Sequence, residues 1–331
     1  MNPAIAADPL LLLLAGLAVD AFLGDMPGVF RRVPHPVVLG GRAVALFDRK
    51  LNREIRSEAS RRVRGVVTVI VLVGLAAALG LLIQTLCRGS LLGAAVEILL
   101  IAVLVAQRSL YDHVALVALA LDRGGLAAGR EAVRHIVGRD PARLDAHGVA
   151  RAAIESLAEN FSDGVVAPAF WYLLLGLPGL FAYKMANTLD SMIGHKTPHY
   201  LAFGWAAARF DDLANLAPAR ISGVLIAAAA LFAEKGRPGR ALAIMLRDGA
   251  KHRSPNAGWP EGAMAGALDL ALAGPRHYAE GLVVDPWVGD GTARAATSDI
   301  HRALGLYRLA CLVLGGLVLG VWLSAHLSLL R

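Results

Sequence analysis

Apolar residues along this chain gather into long runs separated by polar stretches. Five runs stand out, at about 9–23, 65–86, 91–106, 165–182 and 305–327, with a shorter one at 221–233. Crossing the hydrocarbon of a bilayer takes roughly 20 apolar residues in a helix. Runs 65–86 and 305–327 meet that length; 9–23 and 91–106 reach it by borrowing flanking residues. Run 221–233 reaches it only if the helix starts upstream and carries Arg220. The pattern predicts an all-α fold: a polytopic bundle of membrane helices, some broken or re-entrant, with amphipathic helices on the cytoplasmic side. Membrane proteins build one unit from several spans, so residues 1–331 are expected to form a single integral membrane domain. No Lys or Arg precedes the first run, so it is expected to be a retained span rather than a signal peptide.

Composition agrees. Apolar residues make up 56% of the 331 and charged residues only 18%. The mean hydropathy is +0.55. That balance excludes an ordinary soluble domain. The net charge of +7 would suit a nucleic-acid binder, but the basic residues flank apolar runs, so the positive-inside rule accounts for them and no nucleic-acid partner is expected. Segment 31–64 carries ten of them, which places it in the cytoplasm; the basic stretch 235–308 reads the same way. Cys87 and Cys311 have neither disulfide nor zinc-ligand spacing and read as packing residues.

Topology then forks. If 165–182 and the run ending at 233 both cross, 183–220 faces outward, away from the acids at 155–163. If both are re-entrant or buried in protein, every polar motif shares the cytoplasmic side. Pro168, Pro178 and Pro218 favour broken helices and the second arrangement.

Acids and amides recur at helical spacing inside this oily chain. Glu155 and Glu159 are i and i+4, with Asn160 and Asp163 on an adjoining strip. Such a face either gathers a hard cation or is a solvated surface paired with Arg151. Asn187, Asp190 and Ser191 repeat the pattern, and Lys196 follows Gly194 in a turn that either presents an ammonium to phosphate or simply ends the helix. Asp211, Asp212 and Asn215 form a third group, followed by Arg220. The turn Ser254-Pro-Asn256-Ala-Gly258 leads into a helix expected to begin at Pro260-Glu261, and its amides offer an anion site or an ordinary cap. Asp20 sits inside an apolar run, and His35 between two prolines reads as a structural turn residue. His195 and His199 have metal-like spacing, but Pro198 between them argues against a two-histidine face. No phosphate-loop glycine motif, serine elbow or His-Glu-x-x-His is present.

Taken in order, these blocks resemble the adenosylcobinamide-phosphate synthase (cobinamide synthase) family, integral membrane proteins of cobalamin biosynthesis. The resemblance rests on Asp20 with Gly24-Asp25, His35-Pro36, Glu155-Ser-Leu-Ala-Glu-Asn160 with Asp163-Gly164, Asn187-Thr-Leu-Asp-Ser-Met192 with Gly194 and Lys196, Phe203-Gly204 with Asp211-Asp212, Pro218-Ala-Arg220, and Ser254-Pro-Asn-Ala-Gly258 with Pro260-Glu261 and Ala263-Met-Ala-Gly-Ala267. It runs from about residue 8 to about 320, and departs from the pattern at Met26 and His195.

The resemblance implies ATP-dependent amide ligation of a corrinoid propionate, on adenosylcobyric acid, with (R)-1-amino-2-propanol phosphate. It implies ATP and Mg²⁺ as cofactors and the bacterial inner membrane as location, with the active site facing the cytoplasm. Membrane lipid and other membrane-associated cobalamin-assembly enzymes are the implied partners. Glu155, Glu159, Asp190, Asp211 and Asp212 are then the catalytic candidates, and Asp163, Asp190, Asp211 and Asp212 the metal candidates. Asn160, Asn187, Lys196, Arg220, Ser254, Asn256 and Glu261 are the substrate and phosphate candidates. The rival readings are a transporter of a corrinoid or other anionic substrate, and a scaffold for pathway enzymes; paired, similarly interrupted halves would favour the transporter, and none is visible.

Overall fold

The computed structural model describes residues 8–327 except 33, 139, 279, 280 and 284. The described residues are mostly helical, in two compact units, each discontinuous in sequence. The first holds the described residues up to Ala106 and Ala167–Asn215; the second holds Gln107–Val166 and the described residues from Leu216.

The first unit contains α1 (Pro9–Leu23), α2 (Pro27–Phe30), α3 (Pro36–Leu51), α4 (Glu58–Cys87) and α5 (Leu91–Leu104). The second continues with α6 (Gln107–Arg134) and α7 (Ala146–Phe161), then a π-helical turn, Ser162–Val166. Back in the first unit follow α8 (Ala167–Leu175), α9 (Leu177–Ile193) and α10 (Trp205–Ala214). The second unit closes with α11 (Leu216–Ala229), α12 (Pro238–Asp248), α13 (Gly258–Leu268) and α14 (Thr297–Leu327). Between α13 and α14 lie two short antiparallel pairs, β1 (Leu272–Ala273) with β4 (Trp287–Val288), and β2 (Arg276–Tyr278) with β3 (Gly281–Val283).

Among the described residues, three helical stretches are long and apolar enough to cross a membrane: Glu58–Cys87, Leu91–Arg134 and Thr297–Leu327. Pro9–Leu23 and Leu216–Ala229 are shorter apolar helices. The run 221–233 does start upstream and does carry Arg220. The run 165–182 is not one helix. It is divided among the π-helical turn, α8 and the start of α9, because Gly176 takes φ 69° and ψ −152°. A side chain there would be strained, and Pro178 then opens α9 in the position where its missing N–H costs nothing. Pro168 and Pro218 likewise lie in the first turns of α8 and α11.

Not every base in 31–64 marks the membrane boundary. Arg61 is buried, donating to Asn52 Oδ1 at 2.8 Å and to the His199 carbonyl. Arg62 stacks over Trp205 at 3.9 Å. His35 caps α3 through Nδ1, which accepts from the Val37 amide at 3.2 Å. Met26, at one departure from the family pattern, has φ 45°.

The first unit packs α3, α4, α9 and α10 around Val44, Val69, Leu72, Leu189, Ile193 and Phe203. One polar contact stands out. The Tyr172 hydroxyl on α8 donates to Glu97 Oε1 on α5 at 2.8 Å, both side chains being buried. Tyr172→Phe is expected to lower the stability of detergent-purified protein by about 1–3 kcal/mol, the usual result of removing one partner of a buried bond. Thermal melting checks this; an unchanged melting temperature would show that the bond carries no stability.

Candidate active site

Helix α9 buries Leu180, Tyr183, Ala186, Leu189 and Ile193 along one stripe. The 3.6-residue period therefore sets Lys184, Asn187, Thr188, Asp190 and Ser191 on the remaining faces. Helix α10 brings Asp211 toward α9, and Asn215 follows one turn later as its C-terminal cap.

Asp211 is buried and held from two sides. Its Oδ2 accepts from Asn215 Nδ2 at 3.0 Å, and its Oδ1 lies 3.5 Å from Asn187 Nδ2. Asn215 in turn accepts from the Tyr183 hydroxyl at 3.0 Å. Tyr183, Asn215, Asp211 and Asn187 thus form one chain of hydrogen bonds across α9 and α10. Burial, then the neighbouring Asp190 carboxyl, push the Asp211 pKa up to about 7. Asp190 is raised for the same two reasons, burial first and then the charge of Asp212. Asp212 is raised by burial against the pull of Arg209 and Lys196, with Arg209 Nη1 at 3.1 Å. A buried carboxyl with a half-buried one repelling it makes a site where added positive charge is favoured.

Gly194 makes room for this. A Cβ built there would lie 1.9 Å from Asp190 Oδ1. Gly194→Ala is therefore expected to displace the Asp190 carboxylate and lower the activity of the protein about tenfold while the protein still folds. Activity assays beside circular dichroism check both halves.

Five of the residues singled out from sequence thus meet in the first unit: Asn187, Asp190, Asp211 and Asp212, with Lys196 near enough to act on Asp212. The other catalytic, metal and phosphate candidates lie in the second unit. Glu155 is buried, and its Oε1 accepts from the Ala273 amide at 2.8 Å, bracing a residue with φ 59°. Glu159 and Asn160 are exposed near the end of α7; Asn160 Nδ2 donates to the Ser156 carbonyl at 2.9 Å. Asp163 lies on the π-helical turn. Arg151 donates to the Ala293 carbonyl and lies 5.5 Å from the Trp287 ring.

Around the Ser254 turn, Arg220 donates to Asn256 Oδ1 at 3.1 Å and to the Pro255 carbonyl at 3.3 Å, and stacks over Trp259 at 4.4 Å. Helix α13 begins at Gly258, two residues before Pro260, because Ala257 is already in the helical region. Ser254 Oγ accepts from the amides of Asn256 and Ala257 at 3.2 and 3.3 Å. Those two amides are therefore taken, which leaves the side chains of Arg220 and Asn256 as the turn's polar groups. Glu261 is buried, 3.8 Å from His252 Nε2.

Among the described residues, no group of three or more His, Cys, Asp and Glu is gathered tightly enough to hold a metal unaided. A cation at Asp190 and Asp211 would therefore draw further oxygens from substrate or water, as Mg²⁺ commonly does. Sequence reasoning passed over Tyr183 and Glu97. An acid inside the apolar run 91–106 was a signal for Glu97; a tyrosine in a helix carries no such signal.

The order of these blocks matches a described family. Residues 13–307 match the CobD/Cbib protein family. The chain belongs to the CobD/Cbib family. Similar proteins named cobalamin biosynthesis protein CobD occur in Sinorhizobium sp, 54% identical over 94% of this chain and 98% of the relative. One in Rhizobium meliloti is 53% identical over 94% and 96%. One in Rhodobacter capsulatus is 45% identical over 96% and 97%. No solved structure matches. The CobD/Cbib match spans both units and covers Asp190, Asp211 and the Ser254 turn alike.

Proposed function

We propose that this CobD/Cbib protein acts in cobalamin biosynthesis by joining a propionate of adenosylcobyric acid to the amine of (R)-1-amino-2-propanol phosphate, driven by ATP. The product is adenosylcobinamide phosphate. The observation that supports the reading most is the buried Asp211 carboxyl, held by Asn187 and Asn215 with half-buried Asp190 nearby, in a chain of this family.

A carboxylate is a poor electrophile, so ATP would first convert it to an acyl phosphate. The amine then attacks, the C–N bond forms, and phosphate leaves. Asp211, with its pKa near neutrality, suits the proton released from the amine. Mg²⁺ at Asp190 and Asp211, completed by oxygens of substrate or water, would neutralise nucleotide phosphate charge. Lys196, Arg220, Ser254 and Asn256 are assigned to phosphate groups. Glu159 remains a candidate catalytic carboxylate, Asp163 a candidate metal ligand, and Asn160 and Glu261 candidate substrate contacts, while Glu155, already accepting from the Ala273 amide, is proposed as a brace. The basic segment 31–64 would face the cytoplasm of a bacterial inner membrane, within reach of other membrane-bound enzymes of the same route.

The test is product formation by purified protein in detergent, with both substrates, Mg²⁺ and ATP. Amide product that depends on ATP supports the ligase. Uptake of corrinoid into vesicles without chemical change would establish a transporter instead; neither outcome would leave a scaffold.

A further inference from the structure

We propose that the cavity where the turn after α11 meets the first turns of α14 binds a membrane phospholipid whose headgroup carries both a phosphate and a primary ammonium. This site is independent of the ligase reading, and none of its residues belongs to the candidate groups named above.

The cavity has a volume of about 790 Å³ and lies wholly within the second unit. Its lining is of two kinds. Phe232, Leu268, Leu270, Leu306 and Leu309 are apolar; Lys235, Arg237 and Arg302 are basic, and Glu234, Asp269 and Asp299 acidic. Helix α14 is long and apolar enough to cross a membrane, and its apolar run begins at Gly305. The residues it gives to the cavity fall between 298 and 309, so they straddle the passage from polar helix to span. Headgroup and acyl chain meet at that level of a bilayer, where pockets between spans take up lipid headgroups. Phe232 is 69% exposed, a ring that water penalises and an acyl chain covers.

The charges of the lining select the headgroup. Arg237 Nη1 lies 2.9 Å from Asp269 Oδ2, and Arg302 Nη1 lies 2.8 Å from Asp299 Oδ1. His301, also in the lining, faces Asp122 at 3.5 Å. Among the described residues, Glu234 and Lys235 have no such partner. Lys235 is moreover held at φ 57°, a left-handed conformation that glycine or asparagine adopts at less cost. Three bases and three acids balance. A nucleoside triphosphate, a polyanion without a positive group, is poorly matched to such a lining. A headgroup that is itself balanced is well matched. Its phosphate meets Lys235 and the guanidinium N–H groups that Arg237 and Arg302 have left over from their acids, and its ammonium meets Glu234. A primary ammonium donates hydrogen bonds to that carboxylate; a quaternary one has none to give. The acyl chain then runs over Phe232 and Leu309 toward the span.

The experiment is native mass spectrometry of the full-length protein purified in detergent. Phosphatidylethanolamine, phosphatidylcholine and phosphatidylglycerol are added in turn, and ATP with Mg²⁺ serves as the soluble phosphate. Wild type is expected to retain phosphatidylethanolamine about tenfold better than either other lipid. Glu234→Gln is expected to erase that preference, and Lys235→Gln to weaken retention of phosphatidylethanolamine about tenfold. Both side chains are exposed, so neither change threatens the fold. Gly305→Leu tests the cavity itself. A Cβ at Gly305 meets nothing within 4 Å, so the leucine enters the cavity and is expected to abolish retention. Equal retention of the three lipids by wild type, or a preference for phosphatidylglycerol, overturns the headgroup assignment. Retention unaltered in Lys235→Gln and Gly305→Leu overturns the site. Displacement of the lipid by ATP with Mg²⁺ overturns the lipid and makes the cavity a soluble phosphate's. None of these readouts depends on amide formation, so the ligase reading stands or falls separately.

Discussion

Asp211→Asn is expected to cut ATP-dependent amide formation by about 100- to 1,000-fold, the range for loss of a positioned proton acceptor or charge-stabilising group. The substitution is close to isosteric, but it inverts the chemistry of the site. Asn215 Nδ2 donates to one oxygen of Asp211, and Asn187 Nδ2 faces the other. An amide at 211 sets a donor against one of those donors and removes the negative charge.

The acid–base consequence has a definite sign. The usual aspartate pKa is about 3.9, and in the fold Asp211 is raised to about 7, by burial and then by Asp190. The folded protein therefore binds more protons than the unfolded chain between those values. Without a bound cation, stability should fall as pH rises through that window. Activity should rise over the same range if the ionised carboxylate is the working form. Asp211→Asn should flatten both trends, since it removes the group that titrates. Rate and melting profiles from pH 5 to 9 on both proteins provide the check. Wild-type rates in a folded Asp211→Asn would remove Asp211 from the mechanism.

Asp248→Ala is expected to be the most destabilising single change, at about 3 kcal/mol or more. Asp248 is 1% exposed and ends α12. It binds the Arg247 guanidinium at 2.6 and 2.8 Å, Lys251 Nζ at 2.6 Å and the Gly289 amide at 2.9 Å. Arg247 and Lys251 are partly exposed and regain water when the acid is lost. The buried Gly289 amide does not, and that unpaired donor accounts for much of the expected cost.

The Arg247 hydrogen bonds hold the Asp248 pKa below the usual carboxylate range. Its contribution is thus complete above about pH 4 and lost only as the pH falls further. This is opposite in sign to Asp211. Chemical or thermal unfolding of the two variants at pH 7 and pH 4 separates them. Equal stability of wild type and Asp248→Ala at pH 7 would show that the neighbouring ion pairs hold the loop without it.

Those neighbours show why so much of this region is absent from the sequence pattern. Arg237 and Arg240 meet Asp269, and Arg240 and Arg247 meet Asp290, at 2.5–3.0 Å. The bases recur along α12 and announce a polar helix face. Their partners lie 29 to 50 residues away in a segment whose path no local period reports. Asn215 behaves similarly. Its spacing from Asp211 was legible, but its bond to Tyr183 depends on how α10 packs against α9.

The sequence by itself determined the helical, membrane-type character of the protein, because apolar runs and their flanking bases are local quantities set by the length of a bilayer crossing. It also marked the helical groups around Asp190 and Asp211, because i, i+3 and i+4 spacing is enough to place side chains on one face. It did not divide the acids. Only the tertiary structure assigned Glu155 to an amide of β1, broke run 165–182 at Gly176, and buried Asp211 beside Asp190, which lifts its pKa. The first and last depend on contacts between segments far apart in the chain, whereas the break fixes which residue of a proline-marked run turns. Burial and mutual repulsion, which decide what a carboxyl can do, exist only once those segments have packed.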